Sequence, residues 1–114
     1  MRADGKIDYL EMPTNGLAAA RSFYEQAFGW RFVDYGPDYA GFEEAGLDGG
    51  LNATGGEAAA KPLPILFATD LEAMEAKVRA AGGTIVKPIF SFPGGRRFHV
   101  TDPSGNELAV WSET

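Results

Sequence analysis

His99 is the single histidine of a 114-residue chain, two places after Arg97 in the run Arg96-Arg97-Phe98-His99. An imidazole titrates near neutrality, so His99 is a candidate general base, or a donor to a bound carbonyl. Glu11 is the second candidate: a carboxylate enclosed in a cavity can abstract a proton or pair with a cationic ligand. Each has an ordinary alternative. His99 can be a strand histidine bonded only locally, and Glu11 can pair with Arg97 or sit at a wet rim. Tyr9, Phe90, Phe92 and Trp111 offer aromatic walls for a flat, moderately apolar molecule, although core packing uses aromatics equally well. Glu107 reads most simply as a turn or edge residue.

Other chemistries are excluded by what the chain lacks. It has no cysteine, so thiolate nucleophiles, disulfides and zinc sites with sulfur ligands are ruled out. Ser91-Phe92-Pro93-Gly94-Gly95 lacks the lysine and the strand-to-helix setting of a phosphate cradle, so it reads as a hairpin or lid. The net charge of −6 and pI near 4.6 argue against a nucleic-acid partner. The opening MRADGKIDYL has no apolar leader, and no run reaches the length of a membrane span; a soluble cytoplasmic protein without membrane attachment is expected.

The elements that position these residues come in two copies. Leu17 to Gly29 is echoed by Leu71 to Gly83 at an offset of 71 − 17 = 83 − 29 = 54 residues. In the first copy, Lys6 to Met12 reads as a strand after a loose tail over residues 1 to 5, and Thr14 or Asn15 caps a helix. That helix carries an apolar stripe of Leu17, Ala20, Phe23, Tyr24, Ala27 and Phe28, and Gly29 stops it. Strands follow at 30–35, 39–44 and 50–53.

Thr54 to Lys61 links the copies, with a helical turn near Ala59 as an open alternative. In the second copy Pro64 to Ala68 is a strand, and Thr69 or Asp70 caps a helix bearing Leu71, Met74, Val78 and Ala81. Strands then read at 84–90, 96–101 and 107–112. Halves of this size are marginal alone, so one domain over 1–114 is expected: module one over about 6–54, a linker over 55–62 and module two over 63–114.

Strand alternation sorts the side chains. Leu10, Met12, Ile65, Phe67, Phe98, Val100, Leu108 and Val110 are expected under the helices. The opposite parity lines a cup: Tyr9, Glu11, Pro64, Leu66, Ala68, Arg97, His99, Thr101, Glu107, Ala109 and Trp111.

Phe23-Tyr24 followed by Phe28-Gly29-Trp30, the Asp70-Leu71 helix start with Ala80-Ala81-Gly82-Gly83 at its end, and Asp102-Pro103-Ser104-Gly105-Asn106-Glu107-Leu108 resemble the vicinal oxygen chelate superfamily of glyoxalases, bleomycin-resistance proteins and dioxygenases. The resemblance runs from about Ile7 to Trp111. It implies an α+β fold of two βαβββ modules whose curled mixed sheet encloses a cavity, with helices on the outer face and usually a homodimer. It also implies a divalent metal held from four strands in many members. Counted from the helix starts and the Asp-Pro turn, three of those positions fall on Tyr9, Pro64 and Ala109, and the fourth near Phe42 or Glu43. A phenol, a proline and an alanine make a poor donor set, so no metal and no other cofactor is expected.

The sequence therefore leads to a glyoxalase-like homodimer that binds a small molecule without metal, through Tyr9, Glu11, Leu66, Arg97, His99 and Trp111. The rival is a lyase or isomerase of the lactoylglutathione lyase type with Glu11 or His99 as catalytic base. A drug-sequestering protein of the bleomycin-resistance type is a further alternative.

Overall fold

The computed structural model describes residues 2–55 and 60–114, so the turn considered near Ala59 lies outside the described residues. The chain forms two compact units, one of Tyr9–Leu63 and one combining the N-terminal residues through Asp8 with Pro64–Thr114. The element order is strand, helix and three strands, twice over, which is the expected α+β pair of βαβββ modules.

The Leu10–Pro13 part of β1 (Ile7–Pro13), which lies in the Tyr9–Leu63 unit, runs parallel to β4 (Gly49–Asn52). Antiparallel pairing then adds β3 (Tyr39–Glu43) to β4, and β2 (Arg31–Asp34) to β3. Helix α1 (Leu17–Phe28) ends at Gly29, whose left-handed φ of 74° lets its N–H reach the last carbonyls. Neither Thr14 nor Asn15 caps its start. Gly16 holds the cap position with no side chain to offer, and Thr14 Oγ1 instead accepts the Gly16 N–H at 3.1 Å, too early in the chain to serve the helix.

The apolar stripe of α1 is also less covered than its spacing predicts. No residue of the helix is buried, and Phe23 and Phe28 are 56% and 63% exposed. The rings pack on one another instead: Tyr24 stacks on Trp30 at 4.5 Å, and Trp30 contacts Phe42 at 4.8 Å.

In the other unit, β5 (Leu63–Phe67) runs parallel to β8 (Glu107–Ser112), β7 (Gly95–Thr101) pairs antiparallel with β8, and β6 (Thr84–Phe92) with β7. Helix α2 (Leu71–Ala80) is capped by Asp70, whose carboxylate accepts the Ala73 N–H at 3.0 Å. Its Leu71 is buried with Ala68, Phe98, Val100 and Val110, and Met74 and Val78 close over that core.

The strand parity predicted for β5 is inverted. Leu66 pairs with Val110 and packs with Ala68 into the core under α2, whereas Ile65 pairs with Ala109 and Phe67 with Trp111. Leu66 is therefore a half-buried residue packed against the α2 core, on the side of β5 away from Ile65 and Phe67. The cause is register: a one-residue slip in strand pairing exchanges the two faces of a strand, and nothing in a run of apolar residues distinguishes them.

The N-terminal residues are tied down rather than loose. Asp4 Oδ1 accepts both the N–H and the hydroxyl of Thr69 at 2.8 Å, and Gly5 N–H donates to the Phe67 carbonyl at 2.9 Å. Those two bonds from Thr69, side chain before backbone, hold the exposed Asp4 carboxyl below its usual range. No helix among the described residues is long and apolar enough to cross a membrane.

Candidate functional site

The predicted site residues fall into two polar clusters, one in each unit. On β1, Tyr9 and Glu11 point to the same side, as their spacing requires. They meet through Tyr39 at the start of β3: the Tyr9 and Tyr39 hydroxyls lie 2.6 Å apart, and Tyr39 donates to Glu11 Oε2 at 3.1 Å. Gly50 makes this possible, because any side chain there would run into the Tyr39 ring. Glu11 is only 5% exposed. Burial, and then the negative Glu11, push the Tyr39 phenol far above its ordinary range; burial likewise raises Tyr9. Both phenols are thus protonated donors at neutral pH.

The second cluster lies on β6, β7 and β8. Arg97 and His99 flank Phe98 on β7, so they share the face opposite the α2 core. The Arg97 guanidinium lies 5.5 Å from the Phe90 ring centre and 5.6 Å from that of Phe92, within cation–π range. His99 is wholly buried, 5.7 Å from the Phe90 ring, and its Nδ1 is 2.8 Å from Glu107 Oε2. Its Nε2 is buried with no hydrogen-bond partner among the described residues. Trp111 donates its indole N–H to Asp8 at 3.2 Å, and the Arg2 guanidinium covers its ring at 4.9 Å.

The structure thus joins Tyr9 to Glu11, places Arg97 with His99, and sets Leu66 against the α2 core. Two partners were under-read in the sequence. Glu107 has the cup parity, but its position beside the Asp102–Asn106 turn suggested a turn role; the β7–β8 register sets His99 opposite Ala109, two residues from Glu107. That turn closes through side chains at both ends: the Asp102 carboxylate accepts the Ser104 and Asn106 N–H groups and the Asn106 side-chain amide. Tyr39, at the start of β3, lies between Tyr9 and Glu11, a contact that no local pattern announces.

Burial lowers the affinity of His99 for a proton; the bond to Glu107 opposes that effect, and the charges of Arg97 and Lys87 add to it. The imidazole titration of this one histidine, followed by NMR, is expected to have its midpoint below the ordinary 6.5. The folded form resists protonation, so the unfolded chain takes up the proton first. This contribution to stability is complete above about pH 6.5, is lost as pH falls towards the folded midpoint, and levels off below it. A midpoint at or above the ordinary value would contradict the buried neutral ring.

The positions at which the resemblance places metal ligands do not fit a divalent ion. Tyr9 is a protonated phenol bonded to Tyr39. Pro64 shares the parity of Leu66, and the residues on the other side of β5, Leu63 and Ile65, are hydrocarbon. Ala109 is a buried methyl, the Phe42 ring packs on Trp30, and Glu43 is exposed in register with Arg31. Divalent metals need several oxygen, nitrogen or sulfur donors converging on one point.

Comparison with known proteins agrees with this architecture. The family model described as Glyoxalase/Bleomycin resistance protein/Dioxygenase superfamily matches residues 6–110. The proteins named "Putative glyoxylase CFP32" from Mycobacterium bovis and Mycobacterium tuberculosis are each 28% identical over 118 residues, covering 94% of this chain; the chain spans 45% of their length. Among solved structures, a glyoxalase/bleomycin resistance protein/dioxygenase superfamily member from Vibrio splendidus superposes with a TM-score of 0.72 at 16% identity, covering 91% of this chain and 96% of that one. Methylmalonyl-CoA epimerase from Mycobacterium tuberculosis gives 0.71 at 14% identity, covering 99% and 91%. The Mn(II)-bound glyoxalase from Novosphingobium aromaticivorans gives 0.67 at 22%, covering 99% of this chain and 40% of its own. At these identities the structural likeness shows the fold, and the family match shows the lineage: this chain belongs to the glyoxalase/bleomycin resistance protein/dioxygenase superfamily.

Proposed function

We propose that this domain binds a small polar molecule against the face that carries Arg97, His99, Phe90 and Phe92, without a protein-bound metal. The observation that carries the reading is His99 Nε2, a fully buried ring nitrogen with no hydrogen-bond partner among the described residues. Leaving such a group unsatisfied costs about 1–3 kcal/mol, which a ligand bonded to it would recover. The neighbouring strand is β6, which sets Lys87 in register with His99. That strand has two register irregularities, between Ile85 and Lys87 and between Lys87 and Phe90, and such irregularities often accompany sites. Tyr9 and Glu11, joined by Tyr39, form a polar cluster within the Tyr9–Leu63 unit.

A lyase or isomerase is the second reading. It rests on the same atom, since a neutral imidazole with a bare nitrogen is what a general base requires. The name of the curated relatives points the same way.

The test combines elemental analysis with NMR of the His99 ring during titration with lactate, pyruvate and the hemithioacetal of methylglyoxal and glutathione. Binding is expected to shift the ring signals, with divalent metal well below one equivalent. A content of about one metal per chain overturns the metal-free reading, and ring signals unmoved by every compound overturn the binding site. Turnover of the hemithioacetal that disappears in His99→Gln selects the lyase; stabilisation by a cationic drug without turnover selects sequestration. A cytoplasmic homodimer completes the proposal, and sedimentation showing only monomer would remove the dimer.

A further inference from the structure

The bond between His99 and Glu107 restricts what the site can accept. A carboxylate offers only acceptors, so at 2.8 Å the proton of the pair belongs to His99 Nδ1. A neutral imidazole has one N–H, and with that hydrogen on Nδ1 the other nitrogen, Nε2, presents a lone pair and no donor. The groups around the ring do not favour the opposite tautomer. Lys87, in register with His99 on β6, and Arg97 on β7 are cationic, so both disfavour a second proton on the ring. Phe90 contributes only an aromatic surface.

Resting on the binding reading above, we propose that Glu107 is the specificity-determining residue of this site: by fixing the tautomer of His99, it makes the site select ligands that present an O–H or N–H donor over carbonyl analogues of the same shape. A hydroxyl aimed at Nε2 satisfies the buried nitrogen. A carbonyl oxygen there sets two acceptors against each other, and sites built for a hydrogen-bonding group reject analogues that lack it strongly. The relevant chemistry is that of a hydroxy acid, an enol or a hemithioacetal hydroxyl, as opposed to an oxo acid or a ketone. Glu107 acts through His99 and is a positioning residue.

Because the chain has one histidine, its ring nitrogens can be read without assignment by mutation. In ¹⁵N-labelled full-length protein, Nδ1 is expected to show the shift of a protonated nitrogen and Nε2 that of an unprotonated one. Lactate and pyruvate share a skeleton and differ at one oxygen. Lactate is expected to bind at least about tenfold more tightly, and Glu107→Gln, whose amide can donate to Nδ1, is expected to abolish or reverse that preference. A proton on Nε2 in the unmodified protein overturns the inference, with no variant needed. So does equal binding of the two acids, or a preference that survives in a folded Glu107→Gln. If neither acid nor the hemithioacetal moves the ring signals, the binding reading itself fails and the selectivity falls with it.

Discussion

Replacing Phe98 with alanine is expected to cost about 3–5 kcal/mol of folding stability. Phe98 has no exposed surface and packs among Ala68, Leu71, Val100 and Val110, with Met74 and Val78 of α2 closing the cluster. Removing the ring deletes apolar contacts and leaves a cavity that a β-sheet can refill only in part. Domains of this size have about 5–15 kcal/mol in total, so one substitution would remove a large fraction. Urea unfolding monitored by Trp fluorescence would show it as a much lower midpoint; an unchanged midpoint would mean that Phe98 is not where the structure puts it. The site should loosen too, because Phe98 anchors the strand that presents Arg97 and His99, and the His99 ring signals are expected to broaden.

Gly49→Ala should damage the other unit for a different reason. Gly49 pairs with Leu10 across the parallel β1–β4 ladder and with Phe42 across β3–β4. A methyl at this position would overlap the Leu10 carbonyl oxygen and the Phe42 ring. The oxygen belongs to the backbone and cannot rotate away, so β4 must separate from β1. We expect a loss of about 3 kcal/mol, at the upper end for overpacking a core, and with it the disruption of the Tyr9–Tyr39–Glu11 chain. Denaturant unfolding measures the first. The second would appear as Tyr phenols ionising earlier in a spectrophotometric titration, since their resistance depends on burial. A variant as stable as the parent would show that β4 tolerates the added volume.

Much of the scaffold is legible in the residues. The repeat at an offset of 54, the glycine after α1 and the Asp70 cap are local signals, and each element type follows from them. Which side of a strand faces the core was legible where polar and apolar residues alternate. On β7 the alternation of Arg97, Phe98, His99 and Val100 separates the polar face from the core correctly. On β5 it failed, because Leu-Pro-Ile-Leu-Phe offers apolar side chains to both faces and only pairing with β8 decides between them. Helix α1 failed in the opposite sense: its stripe is periodic, yet periodicity states which residues share a face and not what covers that face.

Types and spacing alone determined the two βαβββ modules and the shared parity of Arg97 with His99 and of Tyr9 with Glu11; the family resemblance added Tyr9, Pro64 and Ala109 as positions whose side chains do not suit a metal. These depend on local propensity and on the chemistry of individual side chains. Only the tertiary structure decided that Glu107 holds His99 Nδ1, that Tyr39 joins Tyr9 to Glu11, and that Leu66 packs against the α2 core. Tyr39 is 28 residues from Glu11, and Glu107 is 8 from His99 across a turn. Contacts of that kind depend on strand register, which is set by the packing of whole faces, and register converts a list of polar residues into one imidazole with a defined donor side and a defined acceptor side.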